Sequence, residues 1–420
     1  VGAGLSGLSA AIYLENKGFK TAIYEASSRI GGRCKTEYLD GFILDRGLHF
    51  FQKAFPESKR LLDFRSLRLE NLYPGVMVHY QNEFHLVTNP LKRFGDLLSN
   101  VIAPISTLRD KFKMVGLLTQ VSTYPDKFIF NMEEKSVKDF LEEKGFSQLF
   151  IQSFFKPFVK TVFYDSPENV STRLFCYMLK VFSTEENTLP ANGISSIPHQ
   201  LAAQLSKDCI HLHTKVTGIH EDGLTLSNGE IVHARKVILA IPPHKIEKIL
   251  PGYVSDVKFL PVSCLYFASK TAPVNQPIIL LNGEEDGLVN SVFVPTTLQP
   301  SYAPAGSHLI AVTLKNHPDM TEDELIDAVL QEMVGWFGVK VNEWAHLKTF
   351  HIQNALPQKK KMNQFQYTQY AGENVFICGD HLSFGSINSA LLSGRETAEA
   401  VEKSLKTGIW DTFRKKVLSS

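Results

Sequence analysis

The chain has 420 residues, of which 44% are hydrophobic and 21% charged, and its formal net charge is +1. That balance belongs to a globular protein long enough for two domains, and it leaves no basic footprint for nucleic acid. No stretch of 18 uninterrupted apolar residues calls for a spanning helix, and five scattered cysteines without a Cys-x-x-Cys argue against a zinc site or a disulfide framework, so a reducing compartment is expected, the cytoplasm first, with a plastid-like stroma or a membrane-associated setting as alternatives.

The chain opens VGAGLSGLSA, in which Gly2, Gly4 and Gly7 carry Gly-x-Gly-x-x-Gly spacing. The first glycine admits a tight turn and the second lets backbone approach a pyrophosphate. The third lets a helix pack on its strand, with the helix N-terminus facing the anion. Val1 stands where the strand before such a motif ends, so further residues are expected upstream. Leu8, Ala11, Ile12 and Leu14 predict a helix after the motif, with Gly18 as its cap. FKTAIYE then reads as a short strand ending in Glu25, at the distance where an acid meets a ribose hydroxyl. Strand, helix, strand and acid in that order predict a dinucleotide site.

The next stretch, YEASSRIGGRCKTEYLDGFILDRGLHFF, adds Gly31-Gly32 flanked by Arg29 and Arg33. Bare backbone and guanidinium charge at one place suit a pyrophosphate. Here Glu25-Ala26-Ser27-Ser28-Arg29-Ile30-Gly31-Gly32-Arg33 resembles the FAD motif of the flavin-containing amine oxidase superfamily. That group holds amine oxidases, protoporphyrinogen oxidases and phytoene desaturases. The resemblance implies FAD as cofactor, held by Gly2, Gly4, Ser6, Gly7, Glu25, Ala26, Arg29, Gly32 and Arg33. In LDRGLHFF it implies that Gly47 lets the chain pass close to the flavin. His49 then faces the ring as the candidate catalytic residue, able to tune the flavin or shuttle a proton; a packed structural histidine is the alternative.

Phenylalanine is dense between Phe42 and Phe182, as either a Phe-rich core or a pocket for a large apolar substrate would require. Residues 71–187 are expected to be mainly helical. Within them NPLKRFGDLLSNVIAPISTLRDKFKMVGLL mixes basic and apolar residues as a peripheral membrane contact would, although a solvated helix face has the same pattern. The basic tail WDTFRKKVLSS has a similar character. NGISSIPHQLAAQL predicts a helix. TKVTGIHEDGLTLSNGEIVHARKVILAIPP, with turns at Asp222-Gly223 and Asn228-Gly229, predicts a β-meander; the superfamily holds adenine by the backbone at the position of Val216. FLPVSCLYFASK predicts a strand, and MTEDELIDAVLQEMVGWFG a helix with a Thr321–Glu324 capping box and Gly338 near its end.

NVFICGDHLSFGSINSALLSGRETAEAV carries the second family resemblance. It implies that Gly379 and Asp380 meet FAD near its ribityl phosphate and that a helix opening at Ile387 points its positive end at the flavin. Ser389 stands where the family usually has glycine, and His381 is a second, weaker candidate for the site. The expected fold is α/β: a discontinuous Rossmann-like FAD-binding domain (1–70, 188–250, 365–420) with a mixed α+β substrate domain (71–187, 251–364).

Amine oxidases of the superfamily usually hold a lysine in the strand after the Pro-Pro pair, and the matching position here reads as Ser263. The aromatic pair that sandwiches an amine is missing too. The desaturase and protoporphyrinogen oxidase branch matches better. The expected function is an FAD-dependent oxidoreductase taking hydride from a lipophilic small molecule, carotenoid- or porphyrinogen-like, with oxygen or a quinone as electron acceptor. An amine oxidase, a redox-neutral flavin isomerase or mutase, and a non-catalytic FAD-binding scaffold stand as alternatives.

Overall fold

The structure, a computed structural model, describes residues 1–48, 50–89, 91–92, 104–316, 318–358, 367–372 and 374–407. Its first sheet is assembled from distant short segments. Ile23–Tyr24 pairs in parallel with Ile210–His211, and Val237–Leu239 pairs in parallel with Val375–Cys378. Val1 and Gly2 thread between these ladders. The Val1 nitrogen donates to Ile238 O (2.6 Å), Ala240 N donates back to Val1 O (2.8 Å), and Gly2 N donates to Tyr24 O (2.8 Å). This slanted exchange is that of parallel strands. Thr368–Tyr370 closes the far edge in the antiparallel sense. Parallel strands covered on their faces are apolar throughout, and Val375–Cys378 is buried at every position.

Two helices cover this sheet, Leu5–Glu15 and Ile387–Thr407. They cross closely enough for the Ser9 hydroxyl to donate to Leu391 O at 2.7 Å. Gly394 lies at the crossing, where a Cβ would collide with Ser6 O and stand 2.7 Å from the Ser9 Cβ. The expected meander is an antiparallel sheet of Val216–His220, Gly223–Leu226 and Ile231–His233. The expected helices around residues 5, 196, 322 and 387 are present, and Thr321 and Glu324 form the capping box with Gly338 as the C-cap.

A second sheet of seven strands runs in the order Ala345–Pro357, Phe259–Ser269, His308–Leu314, Val289–Phe293, Ile279–Asn282, Gly75–Tyr80 and Glu83–Thr88. Side chains alternate between its faces. Leu265, Phe267, Val292 and Val312 meet the helix Glu322–Phe337 through Leu325, Val329 and Met333. Cys264, Tyr266, Phe293 and Ala311 face the other way, onto Phe42, Leu44 and Tyr302.

Residues 71–187 are mainly helical, as expected, and also contribute the hairpin of Gly75–Tyr80 and Glu83–Thr88. Its turn is Gln81-Asn82, both left-handed (φ 53° and 60°), a geometry the sequence signals weakly without a glycine. The phenylalanines, in turn, are mostly core. Phe140, Phe146, Phe150, Phe154, Phe155 and Phe175 are buried against one another among the helices that include Leu108–Thr123 and Thr172–Thr184.

The crossing at Gly394 gives a direct test. Gly394→Ala is expected to destabilise the fold by about 1–3 kcal/mol, as overpacking does, with a lower thermal midpoint. An unchanged midpoint in calorimetry would show that the helices can separate without cost.

Candidate functional site

The glycines of the first motif divide the work sterically. Gly2 has φ +100°, and a Cβ on it would stand 2.6 Å from Ala240 O. A Cβ on Gly7 would strike Gly2 O. Gly4 differs, because a Cβ there would meet nothing within 4 Å. It is the N-cap of Leu5–Glu15, a helix with no side-chain cap and no acid in its first turn, so the peptide N–H groups at that end are open to an anion. Buried Ser6 lies in that turn. Gly31 N donates to Ala3 O (2.8 Å), which brings the second glycine pair over the first; a Cβ on Gly32 would stand 3.3 Å from Gly4 Cα. Two stretches of bare backbone therefore flank one open space.

Glu25 stands beside it. Its carboxylate accepts from Ala3 N (2.9 Å), Ser27 N (2.9 Å) and Ser27 Oγ (2.8 Å). Burial pushes its pKa up, but these three donors and the charge of Lys35 outweigh burial and hold it below the ordinary value. An ionised carboxylate with lone pairs to spare can accept from a ribose diol. Ala26 and Arg29 follow on the exposed side of the same loop. Thr214 N donates to Glu25 O and His213 N to Ser27 O, so the chain entering the strand at Val216 runs along the acid's own segment.

Arg33 joins the two motifs. Its guanidinium pairs with the Asp380 carboxylate, donates to Ala355 O (3.1 Å) and lies 5.8 Å from the Phe259 ring centroid. Burial opposes the charge of Arg33, but Asp380 overrides it and raises the pKa. Asp380 is 6% exposed. Gly379 before it is obligatory, since a Cβ would enter the His381 ring, and Gly379 N donates to Ser393 Oγ (2.8 Å). Ser383, 2% exposed, has a hydroxyl with no partner among the described residues. Ile387 opens the following helix, whose first turn holds no acid, and packs in the same cluster as Ala3, Leu5 and Phe51. An uncapped helix end, a backbone cradle, a diol-accepting acid and an orphan buried hydroxyl fit a dinucleotide.

The segment leading to His49 is held by a buried network that the sequence does not announce. Asp45 accepts from Thr36 Oγ1 (2.6 Å), Ile194 N (2.8 Å) and Tyr302 Oη (3.0 Å), and Tyr266 Oη donates to Asp45 O (2.9 Å). Gly47 follows with φ +91° and its carbonyl 3.4 Å from Tyr266 Oη. His49 itself lies outside the described residues. The residue of strand Phe259–Ser269 on this side is Cys264, whose thiol burial pushes up to about 12. Ser263 is one position away, on the opposite face, where its hydroxyl meets His351 Nδ1 at 3.0 Å. The position read as the family's lysine position therefore faces away from Gly47, and Cys264 and Tyr266, on the side of Gly47, are not lysines either.

Next to the Arg33 partners lies a cavity. Its walls come from the helix Lys156–Phe163 and the loop after it, from Leu174 and Met178 of the next helix, from the sheet at Leu260, Leu356 and Pro357, and from Phe384-Gly385. Most of this lining is apolar, with Asp165 and Asn169 as polar members.

A parallel sheet with two glycine motifs at its edge, set against a second sheet and a helical layer, defines a dinucleotide-binding α/β protein. The family model for flavin-containing amine oxidoreductases matches residues 5–402, and the chain belongs to that family. It is 22% identical to protoporphyrinogen oxidase 2 of Arabidopsis thaliana, covering 96% of this chain and 92% of that one. It is 21% identical to 15-cis-phytoene desaturase of Glycine max, over 95% and 78% respectively. Among solved structures, an oxidoreductase from Methanosarcina mazei superposes with a TM-score of 0.76 at 17% identity, covering 95% of this chain and 98% of that one. The cofactor is FAD, and the protein is an FAD-dependent oxidoreductase.

Glu25→Gln is expected to weaken FAD binding roughly tenfold to a hundredfold, the worth of hydrogen bonds to a charged acceptor; equal dissociation constants by flavin fluorescence would remove Glu25 from the site. The carboxylate's folded pKa is depressed, so its contribution to stability is complete above the ordinary value of 4.5 and is lost as pH falls through the lower folded value. The acid unfolding limb of the variant is expected to be shallower there.

Proposed function

We propose that this protein takes hydride from an activated C–H of a lipophilic small molecule, carotenoid- or porphyrinogen-like, and passes the electrons to oxygen or a quinone. The observation that carries the reading is the apolar cavity against Phe384-Gly385, the loop leading into the helix at Ile387. FAD supplies the two-electron acceptor. The chain supplies position and dryness: Val162, Phe163, Leu174, Leu260 and Leu356 exclude water and align an apolar body. The relatives' names support the same class, since one oxidises a protoporphyrinogen and another desaturates a phytoene. The absence of a lysine at Val262, Cys264 and Tyr266 weighs against an amine. Gly2, Gly4, Ser6, Gly7, Glu25, Ala26, Arg29, Gly32, Arg33, Gly47, Val216, Gly379, Asp380 and Ile387 form the FAD site in this reading, with His49 at the ring.

A peripheral membrane contact would deliver such a substrate. Leu108 (57% exposed) and Phe112 (77%) stand one turn apart on Leu108–Thr123 beside Arg109 and Lys113. The remainder of the basic stretch, 93–103, and the tail 408–420 lie outside the described residues. All five cysteines are buried and unpaired with one another, as suits a cytoplasmic setting.

Anaerobic rapid mixing with a porphyrinogen, a polyene and a polyamine tests the reading. Bleaching of the flavin band by one of the first two is expected, while bleaching by the polyamine alone would refute it. The same preparation is expected to pellet with anionic vesicles at moderate salt; full recovery in the supernatant would remove the membrane contact.

A further inference from the structure

The cavity has one charged group in its wall, and nothing in the hydride transfer requires it. Asp165 follows the helix Lys156–Phe163, whose last turn ends on Tyr164 in the left-handed conformation (φ 55°). A non-glycine residue held there is uncommon and marks a turn that its surroundings enforce. This turn sets Asp165 between the helical layer and the sheet. Its Oδ1 accepts from Ser166 N (2.8 Å) and Asn169 Nδ2 (2.9 Å), and its Oδ2 accepts from Gln358 Nε2 (2.7 Å). All three partners donate, so the group stands as a carboxylate acceptor. A carboxylate has about four lone-pair directions, and three donors leave capacity beside the cavity.

A charged acceptor among apolar walls discriminates more sharply than the walls do. Apolar contact separates ligands differing by a methylene only weakly, whereas a buried polar group left without its partner costs the wrong ligand heavily. The geometry points to Asp165 as a specificity-determining residue: it accepts a hydrogen bond from an N–H or O–H of the substrate whose apolar body fills the cavity. A pure hydrocarbon polyene has no such donor, and binding it would desolvate the carboxylate's remaining acceptor site without supplying a partner for it. A macrocycle with pyrrole N–H groups has one to offer. This rests on the proposed function and narrows it to donor-bearing lipophilic substrates.

The test uses FAD-loaded enzyme and two probes in detergent, an oxidised porphyrin that keeps pyrrole N–H groups and cannot reduce the flavin, and a carotene hydrocarbon. Binding is followed by quenching of protein fluorescence for wild type, Asp165→Asn and Asp165→Leu, with bound flavin absorbance and thermal midpoint as folding controls. The expected result is a tenfold to hundredfold loss of porphyrin affinity in Asp165→Leu, a smaller loss in Asp165→Asn, and carotene affinity unchanged or improved. A merely structural role would weaken both probes together. An equal ratio of the two affinities in all three proteins overturns the inference, as does wild type that binds neither probe. If Asp165→Leu does not fold, the Asp165→Asn ratio decides alone. The proposed function fails separately, by wild-type flavin that neither a porphyrinogen nor a polyene bleaches, whatever the probes bind.

Discussion

A single guanidinium–carboxylate pair, Arg33 with Asp380, holds together parts of the chain that lie 347 positions apart. Asp380 is buried at the end of the strand Val375–Cys378, where an unpaired carboxylate would be costly. Arg33 answers that charge and in the same gesture donates to Ala355 O of the second sheet and covers the Phe259 ring. Its planar fork makes this possible; an ammonium could not serve the carboxylate, a carbonyl and an aromatic face together. The glycine loop, the Gly379-Asp380 turn and the substrate-side sheet are thus positioned relative to one another by one side chain. In the proposed site FAD would be held by the first two, and the cavity begins at the third.

The remaining electrostatics come from backbone. The helices at Leu5 and Ile387 both begin without an acidic residue in the first turn, and the first has no side-chain cap. Positive ends free of first-turn carboxylates suit an anion such as a cofactor phosphate. The two helices approach that closely only because Gly394 removes a side chain from the crossing. Sterics at one glycine therefore bear on where an anion can sit at helix ends no more than two turns away.

Much of this was legible in the sequence because it is local. The Gly2–Gly7 spacing, Glu25, the Thr321–Glu324 box and the apolar strand before Gly379 each declare themselves within a few residues. What escaped is non-local or depends on parity. Nothing near Asp45 indicates that Thr36, Ile194 and Tyr302 will converge on it. Parity decides which residues of Phe259–Ser269 look toward Gly47: Cys264 and Tyr266 do, and Ser263 does not. The hairpin at Gln81-Asn82 lacked the glycine that usually advertises such a turn.

The measurement that bears most directly on this account is a double-mutant cycle on FAD affinity with Arg33→Met, Asp380→Asn and the pair together. If the ion pair organises the site, each single change weakens FAD binding. The double variant is then less impaired than the sum of the two, because removing one partner strands the other while removing both does not. Additive losses would contradict the account, since they would mean that Arg33 and Asp380 act on the cofactor independently and that the two ends of the chain are joined by something else.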